Sequence, residues 1–160
     1  MSEWHELAAE VGAMLKEKGQ TVAVAESSSG GLISAALLAV PGASAYFKGG
    51  GACYTGAAKQ TLMGISDVDM ERERASTETH ALVLARSAAE RLGADWGIGE
   101  TGAAGPTGNR YGDAPGHCCV GVVGEGDEQA ATIETGSESR PENMIKFAEA
   151  ALKLLLECLR

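Results

Sequence analysis

Aromatic residues are scarce in this chain, at 4%, so Ala, Leu and Val must build its core. Basic residues are outnumbered: 13 Lys and Arg against 22 Asp and Glu leave a formal net charge of −9. Nucleic acid and anionic membrane surfaces both need a basic footprint, so neither is expected as a partner. No apolar run reaches the roughly 18 residues of a bilayer span. The four cysteines (Cys53, Cys118, Cys119, Cys158) have no C-x-x-C spacing. They read as reduced thiols of a cytoplasmic protein, with no metal site or disulfide. The opening MSEWHELAAEVGAMLKEKGQ is acidic and amphipathic, unlike a secretory signal.

Against these shortages stands an abundance of glycine, 22 residues gathered around 30–31, 49–51 and 97–124. Glycine between apolar segments marks backbone that bends sharply or lets a ligand approach. With 160 residues, 44% of them hydrophobic, the chain reads as one domain, 1–160. Trp4, Leu7, Ala8, Val11, Met14 and Leu15 share one helical face, which Gly19 ends. TVAVAE (21–26) predicts a buried strand, followed by a helix over 29–40 that Pro41-Gly42 stops. AYFKGGGACYT predicts a second strand with a bulge or close backbone approach at its glycines, and AAKQTLMGI a short helix.

SDVDMERER (66–74) reads as a charged loop, with Ser76 as the N-cap of a helix that follows. ADWGIGET, HCCVGVV and QAATIET predict three further strands, the last two joined by a hairpin turn at EGDE. Ser139-x-x-Glu142 has the form of a capping box opening a final helix, with Pro141 in its first turn. Strand–helix alternation followed by a hairpin implies a three-layer α/β/α sandwich. Its sheet is mixed, mainly parallel and of about five strands.

In open α/β sheets, ligands collect where strands end and helices begin. The stretch ESSSGG (26–31) occupies that place after the first strand. Its backbone N–H groups and helix dipole suit a phosphate or a developing oxyanion. Ser27, Ser28, Ser29, Gly30 and Gly31 are therefore candidate site residues, although one serine could simply cap the helix. A serine nucleophile needs a base. His5, His80 and His117 lack a recognisable triad partner and read as structural. Lysine can substitute if its pKa is lowered. Tyr54 and Lys59, five apart in CYTGAAK, can aim at one point across a strand-to-helix turn, but Lys59 could equally be a solvated helix residue.

Four stretches in order, ESSSGG (26–31), PGAS (41–44), CYTGAAK (53–59) and TGAAGPTG (101–108), resemble the CinA C-terminal family of nicotinamide mononucleotide amidases. That family's pattern has ESCTGG, PGSS, a strand ending in TYSNEAK, and TGIAGPGG. The resemblance covers nearly the whole chain and is to the stand-alone form. It implies hydrolysis of the nicotinamide amide to nicotinate mononucleotide and ammonia, with no metal or cofactor. It also implies Ser27 as nucleophile, Lys59 as base and Tyr54 as the group relaying or orienting the proton. Thr101 and Gly102 join the substrate-binding residues. A homodimer or higher homo-oligomer is the implied assembly, with GGGACY as a face for packing.

The departures from that pattern fall around the substrate. Ser28-Ser29 replace Cys-Thr, Gly56 replaces an asparagine, and Glu100 stands where the family has an apolar residue. The loop TGNRYGDAPGHC differs altogether, with Ala114 for a lysine and His117 for a glycine. Within it, Arg110 either contacts a substrate phosphate or pairs with Asp113 and braces the loop. Two functions stay open: a serine amidase acting on a small nucleotide, or a nucleotide-binding regulatory or interaction protein that kept the fold.

Overall fold

The computed structural model describes residues 3–160. Five strands form one sheet in the order β2-β1-β3-β4-β5: β1 Val22–Glu26, β2 Phe47–Ala52, β3 Trp96–Ala103, β4 His117–Gly124 and β5 Asp127–Glu134. β1 runs parallel to β2 and β3, whereas the β3–β4 and β4–β5 pairings are antiparallel. Helices α1 Glu3–Lys18, α2 Leu32–Leu38 and α6 Arg140–Leu159 cover one face, and α5 Glu78–Leu92 covers the other with α3 Gly56–Met63 beside it. The alternation of strand side chains divides the core accordingly. Val22 and Val24 join the α1/α2/α6 cluster, while Ala23 and Ala25 join the α5 cluster with Leu84 and Ala88. The expected mixed three-layer sandwich is what forms. Among the described residues, no helix is long and apolar enough to cross a membrane.

Two glycine groups have packing rather than ligands as their reason. A Cβ at Gly97 or Gly99 would lie 2.0 Å from the carbonyl oxygen of Ala85 or Ala81, so only glycine lets α5 sit this close to β3. In the second strand, Ala23 pairs with Gly49 although Val22 pairs with Phe47. Lys48 is the extra residue of the expected bulge.

Four local expectations are corrected. The charged segment after Ile65 forms a helix, α4 Asp67–Arg72. Ser66 caps it by accepting from the Asp69 N–H, and Asp67 and Asp69 complement the helix dipole. Thr77, not Ser76, caps α5 by accepting from the His80 N–H. Ser76 instead adopts φ 63° and donates its N–H to Thr101 Oγ1 at 2.9 Å. The second helix begins at Leu32, later than expected, because the serine turn uses residues 28–31. Ser139 precedes α6 without a side-chain cap. The polar anchor there is buried Asn143, which donates to the carbonyls of Ala104 and Ser137 at 2.8 Å each.

Candidate active site

β1 ends at Glu26, and β3 extends beyond it, because the last paired residues are Ala25 and Gly99. Glu100 is therefore carried alongside the turn that leaves β1. Both carboxylates are completely buried, and both are spent on that turn. Glu26 accepts from Ser29 Oγ at 2.6 Å and from the N–H groups of Gly31, Ile33 and Ser34 at 3.1, 2.9 and 2.9 Å. It thereby supplies the cap that Gly31, the N-cap residue, cannot. Glu100 accepts from the N–H groups of Ser27 and Ser29 at 2.9 and 2.8 Å and from Ser28 Oγ, and lies 2.8 Å from Ser29 Oγ, whose single proton it shares with Glu26. Buried carboxylates are tolerated when saturated with donors in this way.

This network separates the three hydroxyls. Ser28 and Ser29 are committed to carboxylates. Among the described residues, Ser27 Oγ has no hydrogen-bond partner, although Ser27 is only 7% exposed. The backbone shows a matching asymmetry. From 27 to 34 every N–H has an acceptor except that of Ser28. An unengaged hydroxyl thus sits next to an unengaged N–H, the pair a nucleophile and its oxyanion donor would need.

Lys59 lies in the first turns of α3, behind the Thr55 cap that accepts from the Ala58 N–H. It is only 3% exposed. Its Nζ is 2.9 Å from His80 Nε2. Nδ1 of the same ring lies 2.8 Å from the Glu73 carbonyl oxygen. A carbonyl only accepts, so Nδ1 carries the proton and Lys59 donates to Nε2. Burial pushes the Lys59 pKa down, partly opposed by the charges of Glu100 and Cys53. Burial and then the Lys59 charge push His80 down to about 4. Glu100 therefore acts on both halves of the site, bonding the Ser27 backbone and biasing Lys59.

Tyr54, Lys59 and Arg110 all line one cleft of about 460 Å³, together with Gly56, Arg74 and Tyr111. Ser27, Thr101 and Gly102 are not among its lining residues. Tyr54 is 61% exposed and accepts from Arg140 at 3.3 Å, and among the described residues it makes no hydrogen bond to Lys59. Thr101 is buried and holds Ser76. Gly102 pairs with Cys118, and a Cβ there would lie 2.5 Å from the His117 carbonyl oxygen. Gly30 and Gly31 both have positive φ, the conformation that lets the turn deliver its N–H groups to Glu26.

The expected Arg110–Asp113 pairing is corrected. Asp113 pairs with Arg74 at 3.0 Å and accepts from Asn109 at 2.8 Å. Arg110 instead donates to the Tyr111 hydroxyl at 2.9 Å. The Arg110 and Arg74 guanidiniums lie 5.0 and 4.6 Å from the Tyr111 ring centroid. Sequence reasoning also missed the roles of Glu26, Glu100, His80 and Arg140. One signal was available: an acid in the middle of the strand WGIGETGA, where charge is buried only with partners. His80 and Arg140 gave none, because each reaches its partner through tertiary contact.

The model of the CinA C-terminal domain matches residues 4–159. A CinA-like protein of Chlorobium limicola is 40% identical over 148 residues, which is 89% of this chain and 34% of that protein. A CinA-like protein of Thermosynechococcus vestitus is 42% identical over 117 residues, 73% of this chain and 28% of that protein. The chain thus spans about a third of the length of the curated relatives it matches. A competence/damage-inducible protein from Agrobacterium tumefaciens superposes with a TM-score of 0.92 at 27% identity, covering 100% of this chain and 98% of that one. One from Enterobacter asburiae gives the same score and identity with full coverage of both chains. On the match across residues 4–159 and these relatives, the chain belongs to the CinA C-terminal domain family.

Proposed function

We propose that the protein is a serine–lysine amidohydrolase acting on nicotinamide mononucleotide or a close relative. The observation that carries this reading is the state of Lys59. It is a buried amine with a lowered pKa and no carboxylate partner among the described residues, facing the same cleft as Tyr54. Such an amine loses its proton more readily than an exposed lysine and can then accept one.

In the reaction, Ser27 Oγ forms a bond to the amide carbon while its proton passes to Lys59. The carbonyl oxygen becomes an oxyanion, for which the Ser28 N–H is the available donor. Collapse breaks the C–N bond, the lysine proton goes to the departing nitrogen, and ammonia leaves. Water then attacks the ester carbon, giving a proton to Lys59, which passes it to Ser27 Oγ as the acyl bond breaks and the carboxylic acid product leaves. Tyr54 with Arg140, and Arg110 with Arg74, supply donors for a nucleotide's anionic end. Ammonia release from nicotinamide mononucleotide by wild type, set beside Ser27→Ala and Lys59→Met, tests the reading. Release that survives both substitutions sinks it.

A second reading, a nucleotide-binding regulator without turnover, is favoured by Gly56, which leaves space in the cleft where the related pattern has an amide side chain. Calorimetric binding of the nucleotide without ammonia release selects it.

A further inference from the structure

His80 is fully buried in the first turn of α5, and the proposed reaction gives it no step. Its two ring nitrogens are nonetheless both specified. The Glu73 carbonyl, at the C-cap of α4, fixes the proton on Nδ1. The lone pair on Nε2 then faces Lys59 Nζ at 2.9 Å. Among the described residues this is the one hydrogen bond the Lys59 side chain makes. With its pKa near 4, the ring stays a neutral acceptor at neutral pH. Other charged or titratable groups bear on the pair from every side: Glu100 from β3, Cys53 after β2, Glu73 from α4, and Tyr54 and Arg74 across the cleft.

A lysine side chain has a long flexible stem, and a base that wanders loses the alignment on which proton transfer depends. A neutral amine has two N–H groups and one lone pair. Holding one N–H in place fixes the nitrogen and leaves the lone pair for the incoming proton. We propose that His80 is the positioning residue for Lys59, a tautomer-locked acceptor that sets the rotamer of the amine at the cleft. The kinetic part of this proposal rests on the amidase reading; the contact itself does not.

The test uses the full chain with His80→Leu and His80→Gln. Trace acetic anhydride labels Lys59 in competition with the other lysines, read by mass spectrometry from about pH 6 to about pH 11, around the ordinary lysine value of about 10.4. Removing the acceptor takes a hydrogen bond from the ammonium form, so in His80→Leu the labelling midpoint falls by about one pH unit. His80→Gln, whose Oε1 accepts, brings it back toward wild type. An unmoved midpoint in His80→Leu overturns the proposal. So does a rise toward the exposed-lysine value, which means that His80 only excludes water. Where His80→Leu does not fold, the imidazole ¹⁵N resonances read the same contact. Lys59→Met must shift Nε2 while Nδ1 stays protonated, and an unshifted Nε2 is again fatal. Hydrolysis adds the kinetic arm: His80→Leu lowers kcat by about tenfold or more with KM within about twofold, and His80→Gln recovers part of it. A chain that gives the labelling pattern yet hydrolyses no nicotinamide mononucleotide keeps the positioning role and removes the amidase reading.

Discussion

Two loops carry candidate site residues, and they are held by opposite means. The turn after β1 (27–31) is anchored by two fully buried carboxylates, Glu26 and Glu100, that accept from the N–H groups of Ser27, Ser29 and Gly31 and from the hydroxyls of Ser28 and Ser29. The loop between β3 and β4 is anchored nearer the surface by Arg74–Asp113, by His117 between Glu134 and the Ser76 carbonyl, and by guanidinium contacts to Tyr111. Exposed pairs contribute little, whereas a saturated buried carboxylate cannot lose its partners cheaply. The comparison teaches where rigidity is kept. The turn that carries the candidate nucleophile is held by buried carboxylates, and the loop that carries Arg110, where this chain departs most from the related pattern, is held nearer the surface.

The sharpest way to break the comparison is at Ser27. Ser27→Ala should lower turnover by about a thousandfold or more while leaving the fold intact, as loss of a covalent nucleophile does. Ser28→Ala and Ser29→Ala should act more weakly on turnover, because their hydroxyls serve Glu100 and Glu26. Rates for the three purified variants decide it; equal losses in all three would remove the distinction.

Next in size is stability. Glu100→Ala strands the N–H groups of Ser27 and Ser29 and should destabilise by about 3 kcal/mol in urea unfolding. Asp113→Ala, which removes a pair whose arginine is 40% and whose carboxylate is 16% exposed, should cost less, about 1 kcal/mol. Similar midpoint shifts for the two would show that the loops are equally fixed.

The pH dependence should separate the loops as well. For His117, burial lowers the pKa, but hydrogen bonds to Glu134 and Ser76 and the charges of Asp113 and Glu134 outweigh it, so the net value is raised. The folded state then binds the proton more tightly than the unfolded state. That stability is fully present below the unfolded value of about 6.5 and is lost as pH rises through the higher folded value. His117→Gln should flatten the fall in thermal midpoint above neutral pH. Lys59 is shifted the other way, so turnover should climb with pH along a limb that Lys59→Met abolishes. A limb that persists in Lys59→Met would take lysine out of the mechanism.

The smallest expected effect is at Arg110. Arg110→Ala should raise KM for the nucleotide by roughly tenfold, about the 1.4 kcal/mol of one charge-assisted contact, and spare an analogue without phosphate. Equal losses for both compounds would assign Arg110 to bracing Tyr111, and no loss for either would remove it from the site.

Much of this was legible in the residues themselves. Alternation of apolar residues, Gly19 and Pro41-Gly42 act within a few positions, so the five strands, every helix but α4 and the serine turn after β1 follow from local chemistry. Local signals failed where two readings compete over a short span. Ser66 and Ser76 are both good caps by type, yet Ser66 caps a helix and Ser76 is drawn away by Thr101 on a neighbouring strand. Arg110 stands three residues from Asp113, but the loop's path gives that carboxylate to Arg74, 39 positions away in the chain.

By itself, then, the sequence determined that a strand runs into ESSSGG beneath a helix, and that a tyrosine and a lysine follow in the next strand-to-helix turn, because those features depend on period and turn chemistry. Only the tertiary structure decided which hydroxyl is left unengaged and what holds the lysine. The parallel register of β1 on β3 brings Glu100 to Ser27 across 73 residues, and the packing of α5 beside α3 brings His80 to Lys59 across 21. Hydrogen bonds between such distant residues are set by how strands align and helices dock, and no local pattern encodes them.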